Sequence, residues 1–343
     1  MSRRRAARGA AARQQGYVLL MVVAALAVVA FVAMRFSLRI DELRRGAVGF
    51  DEYASARTKA LSAQAATLYW MATRPMMADG RGDESAALRM DGRNYSLGYG
   101  AWVSVQDMRG LLSVNSADRA VLGNLLILDG VEPLQSQAWI DVLDDYLDTD
   151  DLRRLNGAER EDYRRQSLPA PRNDWLMTLR ELEHLPLWRD DPERLARMSR
   201  WLSVSPSNQF NPATAPAEVL KAVMVGASPA QIDLLLALRK GGLLTSGAAA
   251  AHATGLALDR EDYWFAPGWD SRITVWAPGL PRALEYNARL TPAGRTGPWT
   301  ILEQHSTPRL SPSNEPTAAP TFPLPLVASE PSFPTSAAAS RSP

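Results

Sequence analysis

The 343-residue chain contains no cysteine, which excludes a disulfide staple, a thiolate nucleophile and any Cys-ligated metal centre. Its three histidines, His184, His252 and His305, lie far apart in sequence and belong to no metal-binding motif. A Gly-x-Ser-x-Gly nucleophile elbow and a Gly-x-x-x-x-Gly-Lys phosphate loop are also missing. These absences argue against an enzyme. Lysine is nearly absent beside abundant arginine, and the formal net charge is only +1, so no global field draws the chain toward nucleic acid or acidic lipid. What remains is a composition 46% hydrophobic with ten tryptophans, enough to build a core in two or three domains. The tryptophans are scattered, as core and interface residues are, and form no stacking platform.

The sharpest feature lies at the N-terminus. Arg3, Arg4, Arg5, Arg8 and Arg13, with no acidic residue among them, precede Gly16, after which Tyr17 to Met34 run without a charged residue. That run gives roughly 27 Å of helix at ~1.5 Å per residue, enough to span a bilayer core. A secretory signal would place its small cleavage-site residues after the apolar region, whereas here the only Gly at a chemical border precedes it. An ordinary signal anchor meets the same description. Arg35, Arg39, Arg44 and Arg45 follow the span and nearly balance the leader's arginines, so charge alone orients it weakly.

Beyond the span, Phe36, Ile40, Leu43, Ala47, Phe50, Ala54, Arg57, Leu61, Ala65, Leu68 and Ala72 recur at spacings of four and three. This pattern predicts one helix from about Tyr17 to Thr73, on the order of 85 Å long, stopped by Pro75. Gly46 and Gly49 each cost about 1 kcal/mol relative to Ala and mark a place for a bend. The period then changes. Asp91-Gly92, between Ser85–Met90 and Arg93–Tyr99, predicts a hairpin turn. Trp102 to Val105, Ser271–Ala277, Leu284–Leu290 and Pro298–Gln304 also read as strands.

About 150 residues of helical character separate the strand groups, too long for a connection within one compact domain. The expected fold class is therefore α+β: a long N-terminal helix packed on one small antiparallel sheet, with a large inserted α-helical domain. The boundaries are a leader at 1–16, the transmembrane and sheet-packing helix at 17–75, the first sheet part at 76–108, the insertion at 109–265, the second sheet part at 266–307, and a Pro-, Ser- and Thr-rich tail at 308–343 expected to be disordered. The insertion repeats weakly. Val114-Asn115-Ser116-Ala117 and Phe210-Asn211-Pro212-Ala213-Thr214 each lead into helix, glycine break (Gly130, Gly226) and helix, with Ser116 and Thr214 as expected N-caps and Pro216 in a first turn. This arrangement resembles a helix-hairpin-helix or SAM-like unit.

Asp141, Asp144, Asp145, Asp148, Asp150 and Asp151 crowd one stretch, with Glu159, Glu161 and Asp162 close behind. Carboxylates this dense repel one another unless a cation or arginines intervene. Asp148-Thr149-Asp150 and the turn-like Asn156-Gly157-Ala158-Glu159 offer the hard oxygens that Ca²⁺ prefers. Arg153 stands where an EF-hand loop needs Gly. A solvated acidic helix end neutralised by Arg153, Arg154 and Arg160 accounts for the same spacing.

Several segments in order resemble the K-type minor pseudopilins of bacterial type II secretion systems. They are the Gly16-Tyr17 junction, Gln106–Asn115, Asp145–Asp150, Asn156–Glu159 with Tyr163, Pro171-Arg172-Asn173 with Leu179, Glu181 and Leu182, and Phe210–Leu220. The resemblance covers about residues 12–305. It implies cleavage between Gly16 and Tyr17 by a prepilin peptidase, with methylation, and a single-pass inner-membrane protein whose C-terminal domain is periplasmic. It also implies a pilin-like sheet with an inserted α-domain at the pseudopilus tip, initiating or capping assembly for protein export. The implied partners are I-type and J-type minor pseudopilins and the major pseudopilin, with no nucleic acid. The implied ion is Ca²⁺, at positions Asp145, Asp148, Asp150, Glu159 and Asn173. Most pilin-like subunits carry Glu at the fifth mature position; here it is Met21, which suits a terminal place. The alternative is a membrane-tethered helix-hairpin-helix protein of the competence type. Asn211–Leu244 resembles that module, but its turn reads Val225-Gly226-Ala227-Ser228-Pro229, and its cations are only Lys221, Arg239 and Lys240.

Overall fold

The computed structural model describes residues 7–83, 86–244, 246–258, 261, 263–308 and 319–323. They fall into two compact units, Met1–Thr58 and Lys59–Pro343. The first is the leading part of helix α1 (Ala7–Thr73). Its most apolar window has mean hydropathy 2.8 and none of it is buried within the protein, so this helix is long and apolar enough to cross a membrane. Gly16 and Tyr17 lie inside α1, which begins ahead of the expected Tyr17 because the Ala- and Arg-rich leader favours helix. No turn melts at Gly46 or Gly49: α1 continues as helix through both, each flanked by full turns of better helix formers.

In the second unit, α1 buries Ala60, Ala63, Thr67, Leu68, Trp70 and Met71. This corrects the expected stripe, of which Leu61 is 44% exposed and Leu68 alone is buried in this unit. The buried face is shifted by one residue toward Ala60 and Ala63, whose small side chains let the helix approach its support closely. Trp70 completes the contact, its Nε1–H donating to the Arg81 carbonyl at 3.2 Å.

After α1 come β1 (Met76–Met77), β2 (Gly80–Asp83) and β3 (Ala86–Arg89), an antiparallel three-stranded sheet of their own. The expected single sheet is therefore two. The expected hairpin at Asp91-Gly92 is also corrected, since β4 (Asp91–Leu97) pairs with β5 (Ala101–Asp107) and not with β3. Gly92, at φ +80°, belongs to a bulge where the register shifts between Asp91 and Asn94. The Asp91 carboxylate fixes that bulge by accepting from the Arg93 N–H at 3.3 Å and from its guanidinium at 2.6 Å. The real turn follows Leu97, whose carbonyl accepts from Gly100 at 3.0 Å.

The main sheet is antiparallel, ordered β10-β9-β8-β5-β4, where β8 is Asp270–Trp276, β9 is Ala283–Leu290 and β10 is Trp299–Thr307. Its central pairing, Trp102 opposite Trp276 through Asp107 opposite Ser271, joins strands far apart in sequence. Val103, Val105, Ile273, Val275, Tyr286 and Ala288 bury one face.

Between β5 and β8 the chain builds the insertion. A tight turn at Met108–Gly110 leads to β6 (Leu112–Ser113), then α2 (Arg119–Leu128), α3 (Pro133–Leu147), α4 (Arg160–Arg165) and α5 (Pro192–Met198). β7 (Leu202–Ser203) pairs in parallel with β6, and α6 (Ala217–Val223), α7 (Pro229–Lys240) and α8 (Gly247–Thr254) follow. The weak repeat corresponds to α2–α3 and α6–α7, turning at Gly130 (φ +90°) and Gly226 (φ +89°), where a side chain would be strained. The expected N-caps are corrected. Asp118 caps α2, accepting from Ala120 N–H at 2.8 Å, and Pro216 stands at the N-cap of α6. Ser116 instead donates to the Ser207 carbonyl, and Thr214 is drawn to Asp107. Two apolar clusters fill the insertion, one around Leu125, Leu143, Tyr163 and Trp188, the other around Val219, Leu220, Ile232 and Leu235. In the tail, 309–318 and 324–343 lie outside the described residues. Residues 319–323 are held against the main sheet, contrary to the expectation of disorder there.

Candidate metal centre

The acidic stretch begins on the last turns of α3 and ends at the start of α4. Most of its carboxylates have protein partners. Asp141 is buried and accepts from Gln137 Nε2 at 2.8 Å and from Asn156 Nδ2 at 3.0 Å. Burial works to raise its pKa, but these hydrogen bonds prevail and hold it below the ordinary value. Asp144 takes Arg119 at 2.6 Å. Asp145, wholly buried, accepts from Arg154 Nη1 at 2.8 Å and from the Arg154 N–H. A Cβ at Gly157 would lie 1.9 Å from Asp145 Oδ2, so the glycine lets the loop close over this carboxylate.

Three carboxylates, only partly matched by protein donors, converge on one another. Asp148, Asp150 and Glu159 bring one oxygen each to within 4.8 Å of one another. Asp148 Oδ1 and both oxygens of buried Glu159 are enclosed without a hydrogen-bond partner, as is Asn173 Oδ1. Asn173 belongs to the same cluster: its Nδ2 donates to the Asp150 carbonyl at 2.9 Å, and its backbone takes the left-handed φ of 52°. Burial, then the charges of Asp145 and Asp148, push Glu159 up to about 7. Enclosed oxygens without donors are costly. All are hard, anionic or amide donors, the set that suits Ca²⁺. Of the five sequence-derived positions, Asp148, Asp150 and Glu159 converge, Asn173 is tied to them through the Asp150 carbonyl, and Asp145 is engaged by Arg154. Arg154 also pairs with Asp148, and Arg160 reaches Asp151 at 3.8 Å. Arginines therefore neutralise part of the cluster and leave the Glu159 pocket unmatched.

A second buried carboxylate, Asp107, organises the insertion. Asp107, fully buried at the end of β5, accepts from Gly268 N–H at 2.9 Å, Arg109 N–H at 3.1 Å, Asn211 Nδ2 at 3.1 Å and Thr214 Oγ1 at 2.9 Å. Burial outweighs these four donors and raises its pKa. The residues span both ends of the insertion and the start of its second repeat, so one side chain ties the helical domain to the sheet. Its only sequence signal is the pair of polar, glycine- and proline-containing segments Gln106–Gly110 and Phe210–Thr214.

The cations of the α6–α7 hairpin are only partly free for phosphate. Arg239 is directed inward, donating to the Ala215 carbonyl at 2.5 Å and lying 3.7 Å from Asp91. The histidines stay apart, His305 pairing with Glu285 at 3.4 Å.

A long apolar-led helix, an antiparallel sheet and a helical domain inserted between two of its strands define a mixed α+β, pilin-like fold. Residues 59–207 match the family model described as type II secretion system (T2SS), protein K. The protein's fold is similar to a chain from the crystal structure of the GspK-GspI-GspJ complex of enterotoxigenic Escherichia coli. The two share 14% identity at a TM-score of 0.50, over 76% of this chain and 98% of that one. No curated protein matches the chain.

Proposed function

We propose that this protein is the tip subunit of the T2SS pseudopilus, joined to I-type and J-type minor pseudopilins and acting by assembly. The carrying observation is the helical domain inserted between β5 and β8, on a fold similar to a chain of the solved GspK-GspI-GspJ complex. So large a lateral domain is hard to stack along a narrow fibre and easy to place at its end. Met21, in place of a carboxylate that would meet a neighbour's N-terminal amine in the apolar filament core, supports the same position. The apolar start of α1 anchors the subunit in the inner membrane, with the sheet and insertion periplasmic, after a prepilin peptidase has cut between Gly16 and Tyr17.

Ca²⁺ belongs to this reading as a structural ion. Asp148, Asp150, Glu159 and Asn173 would hold it, and Asp145 would keep Arg154 beside them. The ion would supply the positive charge that the buried Glu159 oxygens lack and would stiffen the loop between α3 and α4. Co-purification tests the assembly: the full chain, expressed with its own I- and J-type subunits, should elute with both as one species. Recovery of the chain alone while I and J associate with each other would refute the reading.

A further inference from the structure

The free side of β4 carries a ligand supplied by the chain itself. Ser96 donates its N–H to the Pro320 carbonyl at 3.0 Å and accepts from the Phe322 N–H at 2.9 Å, forming a parallel bridge opposite Thr321. Phe322 is 1% exposed. Its ring meets Trp70 and Tyr95 edge-on, each with a centroid separation of 6.2 Å, a geometry that aromatic quadrupoles favour. The flanking prolines suit this ladder. Position 320 contributes only a carbonyl, position 322 supplies the one N–H required, and Pro323 follows the last donor used. Prolines on both sides also keep the added segment from recruiting a further strand.

The same pattern occurs a second time. Pro331-Ser332-Phe333-Pro334 repeats Pro320-Thr321-Phe322-Pro323, and the one difference, Ser for Thr, falls at the exposed position 321. A tail whose composition otherwise carries no apolar periodicity thus has its aromatic residues twice in one frame. One of the two frames is seated in a socket by strand addition, a known mode of peptide recognition.

We propose that the β4 edge and its Trp70–Tyr95 socket form a binding site for extended Pro-(Ser/Thr)-Phe-Pro segments. The first copy in the chain's own tail fills the site in cis, and the second copy is an interchangeable ligand for it. The site keeps a sheet edge from pairing with other strands and gives the tail a fixed point of attachment near α1.

The absence of cysteine makes the test direct. In the full, detergent-solubilised chain, Ser96→Cys with Thr321→Cys should close a disulfide within one molecule under mild oxidation, since neighbouring strands lie within disulfide range. Ser96→Cys with Ser332→Cys should close poorly. Closure should rise several-fold when Phe322→Ala empties the socket and fall again when Phe333→Ala is added. A synthetic peptide of residues 330–335, given to Phe322→Ala/Phe333→Ala carrying Ser96→Cys, should slow alkylation of the new thiol, and the same peptide with Phe replaced by Ala should not. Three results would each overturn the proposal: no closure of the 96–321 pair, closure only between molecules, or 96–332 closure indifferent to Phe322→Ala. Alkylation unaffected by the peptide would count against it even if the cysteine variants folded poorly.

Discussion

Removing calcium should weaken the fold by an amount set by Glu159. In the absence of an ion, burial and neighbouring carboxylates lift its pKa from 4.5 to about 7. The sign follows from linkage. Below the unfolded value both states are protonated and the shift has no effect. As pH rises from 4.5 toward 7, the unfolded chain ionises first and stability falls, by on the order of 3 kcal/mol at ~1.4 kcal/mol per pKa unit. A cation held by Glu159, Asp148, Asp150 and Asn173 would cancel that loss and add its own mass-action term, ~2.7 kcal/mol at a hundred times its dissociation constant. For a unit of this size, 3 kcal/mol corresponds to roughly 6–12 °C in Tm. The assay is thermal unfolding of the full chain in detergent, with chelator or with Ca²⁺, at pH 5 and pH 7.5. The melting point in chelator should rise on acidification, the curve in Ca²⁺ should not, and Mg²⁺ should substitute poorly because it demands a tighter octahedral site. Glu159→Gln should raise the chelator Tm at pH 7.5 and abolish the response to Ca²⁺. Superimposable curves with and without Ca²⁺ would refute the reasoning and leave arginine neutralisation through Arg154 as sufficient.

Asp107→Ala should cost roughly 3–5 kcal/mol, because it strands four buried donors at once, while Asp107→Asn should cost less; urea unfolding checks both, and a loss under ~1 kcal/mol for the Ala variant would contradict the hub. The His305–Glu285 pair raises the histidine pKa, first through the hydrogen bond to Glu285. Its contribution is therefore present below about pH 6.5 and lost as pH rises through the folded value. His305→Gln should destabilise by ~1 kcal/mol near pH 6 and by little at pH 9 in paired melts. Replacing Gly16 with a bulky residue should block removal of residues 1–16 while leaving membrane insertion intact, and intact-mass analysis of the membrane form reads this directly.

How legible the molecule was in its sequence depended on the range of the interaction. The apolar run, the strands around Val103, Ile273 and Tyr286, and the helix–glycine–helix repeats announce themselves locally, through periodicity and positive-φ glycines. The Asp91-Gly92 turn was misread because the same dipeptide serves a bulge when its aspartate is bound by Arg93. The stripe on α1 was misplaced by one residue because alanines such as Ala60 and Ala63 score weakly yet pack most closely. Ser116 and Thr214 failed as caps because Asp118 lay nearer the helix and buried Asp107 claimed the threonine. The convergence of Asn173 on Asp150, and of Phe322 on Trp70, required long-range folding that no local pattern encodes. The acidic cluster was visible, but which carboxylates Arg154 would satisfy was not.

The tip assignment is tested most directly by site-specific photocrosslinking from the exposed outer positions of α1, such as Phe36, Leu43 and Phe50, in assembled pseudopili. Crosslinks to I-type and J-type minor pseudopilins, at one copy per fibre end, are the expected result. Crosslinks to the major pseudopilin distributed along the shaft, or none to any pseudopilin, would contradict the tip assignment.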